Sequence, residues 1–224
     1  MEERLINLFG LKNLQNLKNK NILLVGIGGV GSFCFETLVR SGIENITVID
    51  FDTYEESNLN RQLYALHSTI GMKKIDTALQ RAKDINPKAK ITIYDEFLDL
   101  NSNIDFSKYD YIIDACDSIP AKVNIILRAY KENVKIISSL GIGNRVKPEM
   151  VKISTLKKSL SDPLGKKLNH YLVKKYNFLE DIPVVKSDEI PIKSNPISSY
   201  VCVTSIAGIL LADFVIKDII KWLI

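Results

Sequence analysis

Residues 26–31 read Gly26-Ile27-Gly28-Gly29-Val30-Gly31, a GxGxxG spacing whose chemistry is phosphate binding. Glycines there let the backbone turn tightly and approach phosphate oxygens with no Cβ in the way. The helix that follows offers free amides and the positive end of its dipole. Asp50 lies nineteen residues beyond Gly31, the distance at which an acid ending the next strand reaches a ribose hydroxyl. Downstream come Ser57-Asn58-Leu59-Asn60-Arg61-Gln62 and Gly71-Met72-Lys73-Lys74. Arg61 offers a planar fork for phosphate oxygens and Lys74 a mobile point charge. Hydride transfer has little use for cations at this place. Nucleotidyl transfer needs them, because negative charge moves between the α-phosphate and the departing pyrophosphate. Either residue alone also reads as an ordinary surface cation where a helix begins. Asp114-Ala115-Cys116-Asp117-Ser118 adds two acids near the carboxyl end of another strand, where α/β proteins bind ligands. Asp117 suits Mg²⁺, which prefers carboxylate plus phosphate ligands, and Asp114 suits a structural place at the strand end.

Alternating elements must hold these residues. Residues 21–27 form a continuous apolar run ahead of the glycine turn, the mark of a strand buried on both faces. Further strands are expected at 45–50, 90–94, 109–115 and 134–138, with helices at 30–40, 71–85 and 119–132 between them. That alternation predicts a Rossmann-like α/β fold, a mostly parallel sheet flanked by helices. Residues 146–155 read as two short β runs about a proline turn, an antiparallel extension in the C-terminal third. A helix at 161–176 with Ser161 or Asp162 as N-cap, a strand at 184–187, a loop at 188–196 and a helix at 199–222 complete the chain. The expectation is a single domain over 1–224. It comprises a helical segment at 1–20, a nucleotide-binding half at 21–138, and a half at 139–224 for substrate and dimerisation.

Composition bounds the function. The 224 residues are 46% hydrophobic and 25% charged, which excludes disorder and allows one sizeable core. A formal charge of +4 excludes a general nucleic-acid coat, so any such contact needs a local patch. Residues 151–180 supply one: seven lysines, among them Lys157, Lys158, Lys166, Lys167 and Lys174, against Asp162 and Glu180. Lys166, His170 and Lys174 share a helical face, suited to sequence-independent phosphate contacts. A solvated helix face is the competing explanation. Tyr171 and Tyr176 could stack on bases, with at least one expected in the core. Cys34, Cys116 and Cys202 stand more than eighty residues apart, without a CxxC pair. That excludes a tetrathiolate zinc site and suggests a reducing compartment, the cytoplasm. All three read as packing residues. The N-terminus begins acidic and does not read as a secretory signal. Residues 194–216 contain one charge, Asp213, but their serines, asparagine and proline favour a buried helix over a membrane span.

GIGGVG (26–31), DFD (50–52), SNLNRQ (57–62), GMKK (71–74) and DACDS (114–118), in this order, resemble the ThiF/MoeB-type adenylating enzymes, relatives of the ubiquitin-activating enzymes. The resemblance implies a homodimer that activates a carboxylate with ATP and Mg²⁺, giving an acyl-adenylate and pyrophosphate. It places Gly26, Gly28, Gly29, Gly31, Asp52 and Ser118 in the nucleotide site and Asp50 on the ribose. It puts Asn58, Arg61 and Lys74 on the phosphates and Asp117 at the metal, with Arg61, Lys74 and Asp117 carrying catalysis. Arg4 is the counterpart of an N-terminal arginine that enters the partner's site. Members acting on sulfur-carrier proteins typically hold zinc through two CxxC pairs, so no structural zinc is implied here. SSLGIGNRVKP (138–148) and TLKKSLSDPLGKK (155–167) resemble instead the branch containing tRNA threonylcarbamoyladenosine dehydratase. That branch activates the threonyl carboxylate of a modified adenosine beside the tRNA anticodon, which then closes into a ring with net loss of water. Implied partners are tRNA carrying threonylcarbamoyladenosine, a second copy of the chain and a sulfur-relay protein. Two other readings stay open. One is adenylation of a ubiquitin-like sulfur carrier without zinc; the other is an NAD-dependent oxidoreductase or a non-catalytic nucleotide-binding module.

Overall fold

A computed structural model describes residues 2–99 and 102–222. Seven strands form one sheet, β1 (Asn21–Val25), β2 (Asn45–Ile49), β3 (Lys90–Tyr94), β4 (Tyr111–Asp114), β5 (Lys135–Ser139), β6 (Val151–Thr155) and β7 (Pro183–Ser187). They lie in the order β3-β2-β1-β4-β5-β7-β6. Pairings are parallel up to β7, and β6 closes the edge antiparallel to it. The chain runs outward from β1 to β3 and then returns to place β4 on the other side of β1. The crevice at the carboxyl ends of β1 and β4 is therefore the topological switch point where such sheets bind ligands.

Strand sequences match their places. β1 is buried on both faces, with Ile22 and Leu24 in one core cluster and Leu23 and Val25 in the other. Edge strand β3, KITIY, alternates between exposed and half-buried positions. One face of the sheet is covered by α2 (Leu11–Lys18), α3 (Gly31–Arg40), α4 (Lys74–Ile85) and α7 (Val201–Ile220), and the other by α5 (Ile119–Lys131) and α6 (Pro163–Tyr176). The N-terminal segment is two helices, α1 (Glu2–Phe9) and α2, broken at Gly10 with φ +81°.

The helix stretch that raised a membrane question is α7, which buries Val203, Ala207, Leu211, Val215 and Ile216. Each of these valine, leucine and isoleucine side chains contributes roughly 1.5–3 kcal/mol relative to exposure, and Ala207 less. Among the described residues no helix is long and apolar enough to cross a membrane. Three expectations are corrected. Of the two runs within 146–155 only the second is a strand; Pro148–Met150 forms a 3₁₀ turn, and the antiparallel partner of β6 is β7. Pro148 cannot donate a ladder hydrogen bond, which explains why the first run does not pair. Helix α4 starts at Lys74, because Tyr54 and Met72 bond across the segment before it. Tyr171 and Tyr176 are both exposed, since Leu168 and Leu172 provide the buried stripe of α6.

Candidate nucleotide site

A cavity of about 690 Å³ opens at the switch point, a volume suited to a small-molecule ligand. Its base is the β1–α3 turn. Gly26 has φ +88°, and a Cβ there would come within 3.0 Å of the Ala115 backbone. At Gly31 a Cβ would stand 2.0 Å from the Gly26 carbonyl oxygen. These two glycines let the turn close, and Gly28 and Gly29 line the cavity beside it.

Asp50, at the end of β2, is buried and lines the same cavity. Its Oδ2 accepts from the Ile27 amide at 2.7 Å and its Oδ1 from the Asp52 amide at 2.9 Å. Burial pushes this carboxyl above its ordinary pKa, while the two amides oppose that shift. Asp50 thus braces the glycine turn, and each oxygen keeps a second lone pair for a ligand hydroxyl.

The two cations, Arg61 and Lys74, line the same cavity. A 3₁₀ turn at Glu56–Asn58 positions Asn58, whose Oδ1 accepts from the Glu55 amide, and leads into Arg61. Arg61 donates to the Ser57 carbonyl at 2.6 Å, and a Cβ on Gly29 would lie 3.3 Å from its Cγ. Lys74 is 5% exposed, so it is no surface cation. Its Nζ lies 2.6 Å from Asp52 Oδ2. A lysine at the first position of a helix works against the dipole, so something other than helix stability favours it there. Asp117 is exposed on the cavity wall and makes no hydrogen bond or salt bridge among the described residues. Ser118 caps α5 through the Ala121 amide. The expected residues Gly26, Gly28, Gly29, Asp50, Asp52, Asn58, Arg61, Lys74, Asp117 and Ser118 all line the one cavity. Gly31 shapes the turn from behind it.

Cys116 packs against the core cluster of Val25 and Ile49, as expected of it, and also lines the cavity. It stands beyond the end of β4, half-buried in the cavity wall, with its thiol donating to Asp114 Oδ1 at 3.0 Å. Burial and the Asp114 charge push its pKa well up, which keeps the thiol protonated. Asp114 is the structural acid expected. It pairs with Lys122 Nζ at 2.9 Å, both side chains being fully buried, and accepts from Ser138 Oγ at 2.6 Å.

Four residues were not singled out from sequence. Buried Gln62 faces Gly28, and its Oε1 has no hydrogen-bond partner among the described residues. It lay within the SNLNRQ run, but nothing in the spacing separates it from Asn60. Lys122 is hidden in an ordinary amphipathic helix. Asn144 and Arg145 fasten the loop after β7, and Arg145 pairs with Asp162 at 2.5 Å.

Lys157, Lys158, Lys166, Lys167 and Lys174 are exposed and make no salt bridge among the described residues. Lys152, by contrast, is engaged by Asp188, and Lys175 lies 4.9 Å over the Tyr171 ring. Arg4 is exposed on α1 and does not line its own chain's cavity.

The ThiF family model matches residues 2–221, and the chain belongs to that family. It is 34% identical over 233 residues to a tRNA threonylcarbamoyladenosine dehydratase of Bacillus subtilis, covering 95% of this chain and 91% of that protein. The Escherichia coli dehydratase is 35% identical over 167 residues, 74% of this chain and 62% of that protein. The fold superposes on the crystal structure of the E. coli enzyme in complex with ATP with a TM-score of 0.92 and 29% identity, covering 98% of this chain and 93% of that one.

Proposed function

We propose that this member of the ThiF family binds ATP in the switch-point cavity and adenylates the threonyl carboxylate of threonylcarbamoyladenosine in tRNA, giving the cyclic dehydrated nucleoside. The observation that carries the reading is that Arg61, seated on Gly29, and buried Lys74 line one cavity with Asp50. A dinucleotide site needs the glycines and the acid. Two cations converging beside them serve a triphosphate. The dehydratase relatives supply the acceptor.

In this reading Asp50 holds the ribose, and the Gly28–Gly29 backbone lies along the phosphates. Asn58, Arg61 and Lys74 bind phosphate oxygens, with Lys74 exchanging its contact to Asp52 for the incoming anion. A carboxylate oxygen of the substrate attacks the α-phosphorus and forms a P–O bond. The bond to the bridging oxygen breaks, and pyrophosphate leaves with the electron pair. Arg61 and Lys74 stabilise the charge that builds on it. The carbamoyl oxygen of the same nucleoside then attacks the activated carbonyl, a proton is lost and AMP departs. No protein nucleophile is required, which suits the protonated Cys116 beside the site. Asp117 is the carboxylate to hold Mg²⁺ together with phosphates, the ordinary mode for that ion, and Mg²⁺ when bound neutralises phosphate charge.

The five exposed lysines around α6 form the surface for tRNA phosphates. We read the protein as a single-domain cytoplasmic enzyme that acts as a homodimer, with Arg4 reaching the partner's cavity and a sulfur-relay protein as a further partner. The deciding experiment is mass spectrometry of tRNA nucleosides with and without the protein, alongside pyrophosphate release from ATP. Conversion of threonylcarbamoyladenosine to a species lighter by one water, dependent on ATP, is expected. Pyrophosphate release on a diglycine-tailed sulfur carrier, with modified tRNA inert, would overturn the reading.

A further inference from the structure

A second hollow, of about 260 Å³, lies beside the nucleotide cavity, with Asn144, Arg145, Val146, Ile192, Ser199 and Tyr200 among its lining residues. Ser199 lines both spaces. Its carbonyl accepts from Asn60 Nδ2 at 2.9 Å, and Asn60 Oδ1 in turn accepts from Arg61. Ser199 and Asn60 thus link the hollow to the part of the cavity where Arg61 stands.

The hollow is a built feature, and Asn144 builds it. The Asn144 amide donates to the Ser198 carbonyl at 2.7 Å, and its carbonyl accepts from the Ile192 amide at 2.7 Å. Its side-chain Oδ1 accepts from the Ser198 amide at 2.6 Å, and Nδ2 donates to the Ser194 carbonyl. Four bonds from one residue thus hold the loop after β7 in place. Asn144 does so in the left-handed conformation, φ +57°, which asparagine tolerates better than most residues. Arg145 backs the wall, donating to the Glu189 and Gly143 carbonyls while paired with Asp162.

The lining chemistry selects a kind of occupant. Arg145 is the one charged residue among those lining the hollow, and Asp162 neutralises it. The hollow is thus close to electrically neutral overall. The Ser199 hydroxyl makes no hydrogen bond among the described residues, so it is available to orient a polar group. Tyr200, Val146 and Ile192, each about half exposed, surround the hollow with apolar surface including one flat ring. The volume falls below the usual range of small-molecule pockets, about 300–1,000 Å³, so it admits a side arm rather than a whole nucleoside. The lysine-bearing helix α6 is capped by Asp162, the partner of Arg145, so the exposed lysines stand on the neighbouring element.

We propose that this hollow is the acceptor subsite: it takes the carboxylate-bearing arm of an unstacked nucleoside, with Tyr200 stacking on the base and Asn144 acting as the positioning residue. The assignment rests on the adenylation reading above. The arm's carboxylate oxygen would pass Ser199 to reach the α-phosphorus and form the P–O bond there as the bond to pyrophosphate breaks.

The test uses the full chain with three variants, Tyr200→Ala, Tyr200→Phe and Asn144→Gly. Glycine keeps the left-handed backbone while removing the side-chain bonds. Pyrophosphate release is titrated with tRNA carrying threonylcarbamoyladenosine, and ATP affinity is measured separately by calorimetry. Loss of one base–aromatic stack should raise the KM for tRNA about tenfold to a hundredfold in Tyr200→Ala. Tyr200→Phe should stay near wild type. Asn144→Gly should raise the tRNA KM as well, and all three should bind ATP as the wild type does. An unchanged tRNA KM in Tyr200→Ala, or a parallel loss of ATP affinity, overturns the subsite while leaving the adenylation reading intact. A wild-type protein that binds ATP but releases no pyrophosphate with this tRNA overturns both.

Discussion

Replacing Lys122 with methionine should destabilise the protein far more than any exposed substitution in the cavity. The Lys122 ammonium and the Asp114 carboxylate lie 2.9 Å apart with both side chains at 0% exposure. At an effective dielectric of about 20 that separation corresponds to roughly 6 kcal/mol of attraction, much of it offset by desolvation. Lys122→Met removes the attraction and leaves Asp114 with a buried, uncompensated charge. Breaking such a pair costs about 3–5 kcal/mol. For a chain of this size that lowers Tm by about 6–20 °C. A second change, Asp114→Asn, keeps a hydrogen-bonding group near Ser138 and the Cys116 amide but removes the charge. The double variant should regain about 2–3 kcal/mol relative to the sum of the two single losses, read by a denaturant double-mutant cycle. Burial pulls the Lys122 pKa down, but Asp114 outweighs it and holds it above the usual lysine value. The stabilisation is thus fully present below the unfolded-state pKa of about 10.4 and is lost only as pH rises through the folded value above it. Wild-type stability should owe no slope to this residue between about pH 6 and 9. A Tm loss under about 2 °C, or additive single-variant effects, would refute the reasoning.

Other outcomes follow from the same geometry. Arg61→Ala should lower ATP-dependent pyrophosphate release by about a hundredfold to a thousandfold, the usual cost of one transition-state charge contact, with Tm nearly unchanged. Replacing Lys157, Lys158, Lys166, Lys167 and Lys174 by glutamine should flatten the salt dependence of tRNA binding. The log–log slope should fall by roughly 0.7–0.9 for each lysine that contacts phosphate, and an unchanged slope would remove the basic face from the tRNA site. Cys116 should resist iodoacetamide at neutral pH, because its pKa is held well above the usual thiol value and alkylation needs the thiolate. Cys116→Ser should retain turnover; its loss would give this thiol a chemical role.

The strands and the phosphate turn were legible because their signals are local. NILLV followed by GIGGVG needs nothing distant to be understood, and the ten cavity-lining residues expected from motifs converge because the sheet order brings those motifs to one edge. What escaped reading depends on pairing across the chain. Asn144 matters through Ser198 and Ile192, some fifty residues on, and Lys122 through Asp114 on β4 and Ser138 on β5. Cys116 packs on the core as its apolar setting suggests, but its second place, on the cavity wall, follows from β4 ending at Asp114. Tyr171 and Tyr176 were misplaced because α6 buries a narrow stripe, and Leu168 and Leu172 fill it.

The charge lining the nucleotide cavity bears on the metal. Asp50, Asp52, Glu55, Glu96 and Asp117 supply five carboxylates against the two cations Arg61 and Lys74. Lys74 is moreover engaged by Asp52 at 2.6 Å. A polyphosphate entering this acid-rich space is repelled unless its own charge is partly neutralised, and no group of three or more metal-ligating side chains exists among the described residues to hold an ion beforehand. On the adenylation reading proposed above, the nucleotide would arrive with Mg²⁺ on its phosphates and share it with Asp117, as that ion commonly binds. Calorimetry should show ATP affinity falling at least tenfold when Mg²⁺ is chelated. Asp117→Asn should narrow that difference, because it removes one repulsive charge from the free nucleotide and one ligand from the complexed one. Equal ATP affinity with and without Mg²⁺ would mean that Arg61 and Lys74 alone outweigh the five carboxylates, and would remove Asp117 from the site's chemistry.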